Sequence, residues 1–291
     1  MFDFVPLALS DRERYSDLYS DCPVKSAQYS FFSLWGWGET DPAELAWGDD
    51  LCWIRCRGYR NGLLAPMGDW TSVDWERAFR ENLQPGDILL DVPEALTQYF
   101  PPSLSQRLAF DELRDEWEYL HSVPELVSLR GGKYVHKRAH VKTFESNYKW
   151  EYSPLLPEDF SKLLAFQAEW CACHGCEDVP LLRAENLAVH HALELWDELP
   201  LTGAMLRVDG AVAGYTIAEE LSADTIGIRF EKANNEYTGI YQALNKLFLE
   251  RQGQGYLWVN REEDMGNEGL RKAKMSYHPS DFVKKYSVRV L

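Results

Sequence analysis

Six residues at the start of the chain come back, type for type, near its middle. Phe2-Asp3-Phe4-Val5-Pro6-Leu7 and Trp150-Glu151-Tyr152-Ser153-Pro154-Leu155 both read aromatic, acid, aromatic, any residue, Pro, Leu, and each stands just before a helical pattern. Such an echo argues for duplication only if the elements behind both copies follow one order. They do. After the second copy, apolar spacing predicts a helix from about Glu158 to Cys173, with Phe160, Leu163, Leu164 and Trp170 on one side. Ala184, Leu187, Ala188, His191, Ala192, Leu195, Trp196 and Leu199 then recur at spacings of three and four, the stripe of a second helix. Strands are expected over 201–208, 211–220 and 224–232, the first two joined at Asp209-Gly210. A helix over 237–252, a strand from Tyr256 to Asn260, a helix near 268–276 and a strand over 281–290 close this half.

The first half repeats the order more loosely. Ser10-Asp11-Arg12-Glu13 has the spacing of a capping box opening one helix, and a second helical stretch covers about Ala27 to Trp35. Strands near 44–48, 51–56 and 62–66 follow, the first two split by Gly48-Asp49-Asp50. A helix over 73–82, a strand over 87–91, a helix over 94–100 and strands near 107–120 complete it. Three antiparallel strands, a helix, a strand, a helix and a last strand is an order similar to that of GNAT acyltransferases. The expected fold is α/β of the α+β kind: two tandem GNAT-like domains, each a mixed, mostly antiparallel sheet flanked by helices. Residues 1–125 would form the N-terminal domain, 126–148 a basic connecting helix, and 149–291 the C-terminal domain with the site. Likeness of fold does not settle chemistry, which has to be read from side chains.

A chain of 291 residues can bury about three quarters of its unfolded surface, enough for two cores without disulfides. Its six cysteines are therefore expected as thiols. No apolar run reaches the roughly 20 residues that span a bilayer, and Met1-Phe2-Asp3-Phe4 lacks the basic then apolar pattern of a signal peptide, so the expected location is cytoplasmic. The formal net charge of −16 repels nucleic acid over most of the surface, and no DNA partner is expected. Any anionic ligand needs a local basic site. Arg130, Lys133, Lys137, Arg138 and Lys142, with His136 and His140 and no acid between them, supply one.

Two polar clusters stand at strand ends, where ligands of α/β folds commonly bind. Asn260-Arg261-Glu262-Glu263-Asp264 follows the strand Tyr256 to Val259 and leads to Lys272, Lys274 and Tyr277. Glu231-Lys232-Ala233-Asn234 ends another strand and enters a helix carrying Tyr241, Gln242 and Asn245. Carboxylates beside cations at such ends can shift each other's pKa or hold a polar substrate. Cys171-Ala172-Cys173-His174-Gly175-Cys176 lacks the second ligand pair of a tetrahedral zinc site, so no metal is expected.

Phe4-Val5-Pro6-Leu7 with Gln28-Tyr29-Ser30-Phe31, Gly132-Lys133 with Lys137-Arg138, Phe230-Glu231-Lys232-Ala233-Asn234, Gly239-Ile240-Tyr241-Gln242 and Val259-Asn260-Arg261-Glu262-Glu263-Asp264 together look like one family. Gly269-Leu270-Arg271-Lys272-Ala273-Lys274, with Ser276-Tyr277 and Pro279, extends the match. The chain resembles a bacterial family of unknown function related to the C-terminal domain of phosphatidylglycerol lysyltransferases. The resemblance implies tandem GNAT-like domains and acyl or aminoacyl transfer to an amine or hydroxyl acceptor, with aminoacyl-tRNA or an acyl-CoA as donor. In that reading Glu231 or Glu262 is the base and Tyr277 the proton donor. Lys232, Asn234, Tyr241, Gln242, Asn245, Asn260, Arg261, Asp264, Lys272 and Lys274 bind ligand, and Lys133, Lys137 and Arg138 extend that surface. Acetyl-CoA-using GNATs cradle pyrophosphate with a glycine-rich loop; here the loop has only Gly239 and carries Glu231 and Glu236, so the usual pose of coenzyme A is not expected. The alternative is a GNAT-like protein that binds a small anionic metabolite without turning it over.

Overall fold

The computed structural model describes residues 2–48 and 50–291; Met1 and Asp49 lie outside it, and with Asp49 the centre of the expected Gly48-Asp49-Asp50 turn. The chain forms two compact units, one of the residues up to Glu118 with Glu263–Arg271 and Phe282–Leu291, the other of Tyr119–Glu262 with Lys272–Asp281. Each contains its own sheet.

In the first unit the strands run, in spatial order, Val5–Pro6, Ala43–Gly48, Leu51–Cys56, Gly62–Leu64, Ile88–Pro93, Lys285–Val290 and Leu108–Glu112, with Met67–Gly68 also paired to Leu51–Cys56. Among the described residues the pair Gly62–Leu64 and Ile88–Pro93 is parallel and the other pairs are antiparallel. Leu51, Cys52, Trp53, Ile54 and Cys56 are buried on both faces, as a central strand requires. One ionic network lies inside this unit. Lys285 Nζ sits 2.7 Å from Glu118 Oε1 and donates to Gln28 Oε1, while the Glu118 carboxylate accepts from Ser26 Oγ at 2.5 Å and from the Ala27 and Gln28 amides. Gln28 Nε2 in turn donates to Asp91 Oδ2 at 3.0 Å. Every lone pair so engaged offsets part of the desolvation cost of a wholly buried charge pair.

The second sheet repeats the arrangement position for position: Trp150–Pro154, Leu201–Val208, Ala211–Ser222, Thr225–Ala233, Trp258–Asn260, Glu118–Ser122 and Asp281–Val283. Again the fourth and fifth strands pair in parallel. The two halves of the echo thus supply the first strand of each sheet. The chain has the α+β fold of tandem GNAT-like units, two mixed, mostly antiparallel sheets flanked by helices.

The sixth strand of each sheet is where the linear reading departs from the structure. The stretch expected as one strand over 281–290 is two: Asp281–Val283 is the edge of the second sheet, and Lys285–Val290 lies in the first, between Ile88–Pro93 and Leu108–Glu112. Reciprocally, of the strands expected near 107–120, Leu108–Glu112 stays in the first sheet and Glu118–Ser122 pairs with Trp258–Asn260 in the second. Alternation of residue types sets which face of a strand is buried but not which distant strand it joins.

Helices Val135–Asn147 and Ile240–Arg251 cover one face of the second sheet, where Phe144, Ile240, Leu244 and Leu247 pack with Leu206 and Ala233. On strand Thr225–Ala233 the partner register shifts so that Ile217 faces Phe230 but Ala218 faces Ile228, leaving Arg229 as the extra residue. Such a bulge resets the two-residue phase. Ile226 and Ile228 before it and Ala233 after it all reach cores containing Ile240–Arg251. Helix Phe160–His174 ends where Gly175 takes a left-handed conformation and turns the chain back. That return puts Cys176 5.0 Å from Cys171, Cα to Cα, and the two form a disulfide where free thiols were expected. Cys22, Cys52 and Cys56 are buried thiols.

Candidate active site

In the second unit the parallel strands keep register at only three pairs, Thr225 with Trp258, Ile226 with Val259 and Gly227 with Asn260. Beyond them Thr225–Ala233 continues for six residues while the other chain leaves its strand. Two ion pairs bridge the chains where backbone pairing has stopped. Arg229 Nη1 lies 2.8 Å from Glu262 Oε1, and Arg261 Nη2 lies 3.1 Å from Glu231 Oε1. The pairs are reciprocal in sign: the longer strand gives the cation in one and the anion in the other. Arg229 is also 3.7 Å from Glu219.

Around the second pair the side chains converge. Asn245 Nδ2, on Ile240–Arg251, donates to the other oxygen of Glu231 at 3.3 Å. The Arg261 guanidinium lies 4.9 Å from the centre of the Tyr277 ring, and Lys137 Nζ, from Val135–Asn147, lies 3.8 Å from the same centre. His121, on Glu118–Ser122, meets the Tyr277 ring edge-on at 6.4 Å. Its register partner is Val259, which fixes its face.

Burial governs the protonation of these groups. It pushes the Tyr277 phenol up to about 12, so the hydroxyl keeps its proton at neutral pH. Burial, helped by the Arg261 charge, takes Lys137 down to about 8 and His121 down to about 3. His121 is thus a neutral imidazole. Among the described residues neither of its ring nitrogens nor Arg261 Nη1 has a well-formed hydrogen bond; the Tyr277 carbonyl, which accepts from the Tyr134 hydroxyl at 3.1 Å, favours the protonated ring only weakly against burial.

Other residues singled out from sequence are placed elsewhere. Lys232 points to the opposite face from Glu231, as neighbours on a strand must, and is held 2.5 Å from Glu185 with its ammonium 4.3 Å from the Trp170 ring centre. Asn234 closes a local turn, accepting from the Glu236 amide at 2.9 Å. The Tyr241 hydroxyl ties the start of its helix to the backbone of Ala233, and Gln242 is half-buried beside it. Asn260 is buried and accepts from the Glu262 amide. Lys274 lies 5.7 Å from the Tyr119 ring centre, and Lys272 is exposed. Lys133 pairs with Glu125 on the surface, and Arg138 donates to the carbonyls of Leu129 and Gly131. Asp264 belongs to the first unit, where it is wholly buried between Arg271 and Arg114. His121 and Arg229 were not singled out. Arg229 stood in plain view as a lone charge in the apolar run Thr225-Ile226-Gly227-Ile228-Arg229-Phe230, whereas nothing local marks His121.

Two parallel strands that part, with a helix between them, give the second unit a GNAT-like fold. The chain belongs to the phosphatidylglycerol lysyltransferase C-terminal family, whose model matches residues 25–289. A crystal structure of a conserved protein from Bacteroides thetaiotaomicron covers all of this chain and all of its own at 28% identity, with a TM-score of 0.88. The C-terminal domain of a putative lysylphosphatidylglycerol synthetase from Agrobacterium fabrum is similar in fold, at 14% identity and a TM-score of 0.65 over 96% of this chain and 91% of that one. Among curated sequences, an uncharacterized protein of Mycoplasmoides gallisepticum is 25% identical over 176 residues, 60% of this chain; the match spans 56% of that relative. Among the described residues no helix is long and apolar enough to cross a membrane.

Proposed function

We propose that this chain is a transferase that moves an acyl or aminoacyl group onto an amine or hydroxyl acceptor, with its chemistry at the parting strands of the second unit. The observation that carries the reading is the convergence of Glu231, Arg261, Asn245 and Tyr277 there. Glu231 accepts the acceptor's proton as the new bond to the acyl carbon forms, and Asn245 and Arg261 hold the carboxylate in place. Tyr277, protonated at neutral pH, returns a proton to the leaving group. Both carboxylates are ion-paired, and Glu231 is preferred over Glu262 as base because its partner Arg261 lies against Tyr277, whereas Glu262 pairs with Arg229.

The donor in this reading is not bound as ordinary GNATs bind acetyl-CoA. A phosphate cradle needs free backbone N–H groups at the strand-to-helix turn. Here the amides of Glu236, Tyr237, Thr238 and Ile240 already donate to Asn234 Oδ1, the Asn234 carbonyl, the Tyr148 hydroxyl and the Tyr237 carbonyl. Gly239 serves packing instead: a Cβ there would come within 2.1 Å of the His140 carbonyl oxygen. Aminoacyl-tRNA and longer acyl-CoA donors are the candidates to assay. Glu231→Gln should lower turnover by about 10²- to 10⁴-fold with any donor that works. A fully active Glu231→Gln enzyme would rule out the assigned base.

A further inference from the structure

Tyr277 lies between two cations. Lys137 Nζ is 3.8 Å from its ring centre and the Arg261 guanidinium 4.9 Å. Arg261 has one carboxylate partner, Glu231, reached through Nη2. Among the described residues Lys137 has none; its ammonium donates to Ser276 Oγ at 2.7 Å. Two positive groups and one negative group therefore share a partly buried space, which leaves one positive charge uncompensated in a chain of formal net charge −16. Like charges gathered out of water repel strongly. The ring faces relieve part of that cost, but they satisfy no N–H.

The unmade hydrogen bonds lie beside the same ring. Among the described residues Arg261 Nη1 is buried without a well-formed hydrogen bond, and so are both ring nitrogens of His121, a residue only 1% exposed. A buried donor left unpaired keeps its full desolvation cost, and native proteins tolerate few of them without a functional reason. A guanidinium edge and an ammonium are the donor set that binds an oxyanion, the first as a planar fork and the second as a point charge. A neutral imidazole adds one donor and one acceptor.

We propose that Arg261, Lys137 and His121, arranged around Tyr277, form an oxyanion subsite for a phosphate or carboxylate group of the ligand. It rests on the transfer reading only for its place in the same site. The negative group replaces the missing counter-charge of Lys137 and takes the free Nη1 hydrogens of Arg261, and His121 donates to one of its oxygens. Lys133 stands outside the subsite, because Glu125 at 2.7 Å already neutralises it on the surface.

Isothermal titration of the full chain with inorganic pyrophosphate, and separately with succinate, tests this assignment and separates the two oxyanion sources. Saturable one-site binding of either probe is expected. Lys137→Met and Arg261→Met should each weaken it at least about tenfold, the size of one lost charge-assisted hydrogen bond. Lys133→Met should leave it unchanged, and His121→Phe should weaken it less. Thermal unfolding followed by circular dichroism identifies any variant that has lost its fold, and His121→Phe with Lys133→Met then carries the comparison. No saturable binding of either probe, or equal affinity in wild type, Lys137→Met and Arg261→Met, would overturn the subsite. Binding without any transfer activity sustains the subsite and counts against the transfer reading alone.

Discussion

Glu231 and Arg261 meet at 3.1 Å across two strands that have stopped sharing backbone hydrogen bonds, and the pair stands with only 10% and 13% of its side-chain surfaces exposed. A carboxylate so placed is held by its partners rather than by the sheet. Replacing Arg261 by Met leaves Glu231 with Asn245 alone, and removing one member of a largely buried pair costs about 2–3 kcal/mol. Arg261→Met and Glu231→Gln should each lower the unfolding free energy measured by urea titration by that amount, and the double variant by clearly less than the sum. Additive losses would mean that the pair contributes no coupling.

His121 gives stability a pH dependence of known sign. In the unfolded chain it binds a proton near pH 6.5, whereas burial keeps the folded imidazole neutral down to about 3. The unfolded state therefore binds more protons throughout that window, and stability falls as pH drops from 6.5 towards 3, by at most about 1.4 kcal/mol per pH unit. Urea titrations at pH 7 and pH 5 should show a smaller acid loss in His121→Phe than in wild type, by up to about 2 kcal/mol. Equal slopes would place His121 in contact with solvent.

Lys137, taken down to about 8 by burial and by Arg261, should be the first lysine to react with a dilute amine-acylating reagent at pH 8. Peptide mapping against pH should give half-maximal reactivity near pH 8, against about 10.4 for ordinary lysines. A Lys137 that reacts no faster than exposed Lys272 would contradict this.

Lys285 and Glu118 have no exposed side-chain surface. Lys285→Met alone strands the Glu118 carboxylate in the core and should cost about 3–5 kcal/mol; Lys285→Met with Glu118→Gln should recover much of that loss. Chemical denaturation of the three variants measures it. A double variant as unstable as the sum of the two singles would refute the pairing.

Thiol chemistry should divide the cysteines by place. In the native protein an alkylating reagent should reach the exposed Cys173 and leave Cys22 and Cys56, whose thiols burial raises to about 11 and about 12, untouched, with Cys52 as well. Mild reduction should then release Cys171 and Cys176 before any of these three. Labelling of Cys52 in the folded state would contradict its burial.

Periodicity of three and four or of two is a local property, and most of the order of elements follows from it, though not the break that splits 281–290 between two sheets. The echo at Phe2 and Trp150, the stripe through Ala184 and Ala188, and the helix burying Leu244 and Leu247 were legible for that reason. The sequence also marked Glu231, Asn245, Arg261 and Tyr277, since polar residues at strand ends and helix starts stand out from apolar runs. What it left open was decided by contacts between distant residues. Which sheet receives Lys285–Val290 depends on pairing with Ile88–Pro93 and Leu108–Glu112, about which the strand's own residues say little. The bulge at Arg229 puts Glu231 on the face of Asn245, and strand alternation sends Lys232 to Glu185 on the other, so two adjacent charges in one motif part company. His121, a lone histidine in its strand, faces Tyr277 only because register with Val259 turns it there. Disulfide formation at Cys171 and Cys176 likewise waited on the left-handed Gly175 that folds the chain back. Local pattern writes the elements, and the desolvation of charges brought together from far along the chain determines which side chains face one another.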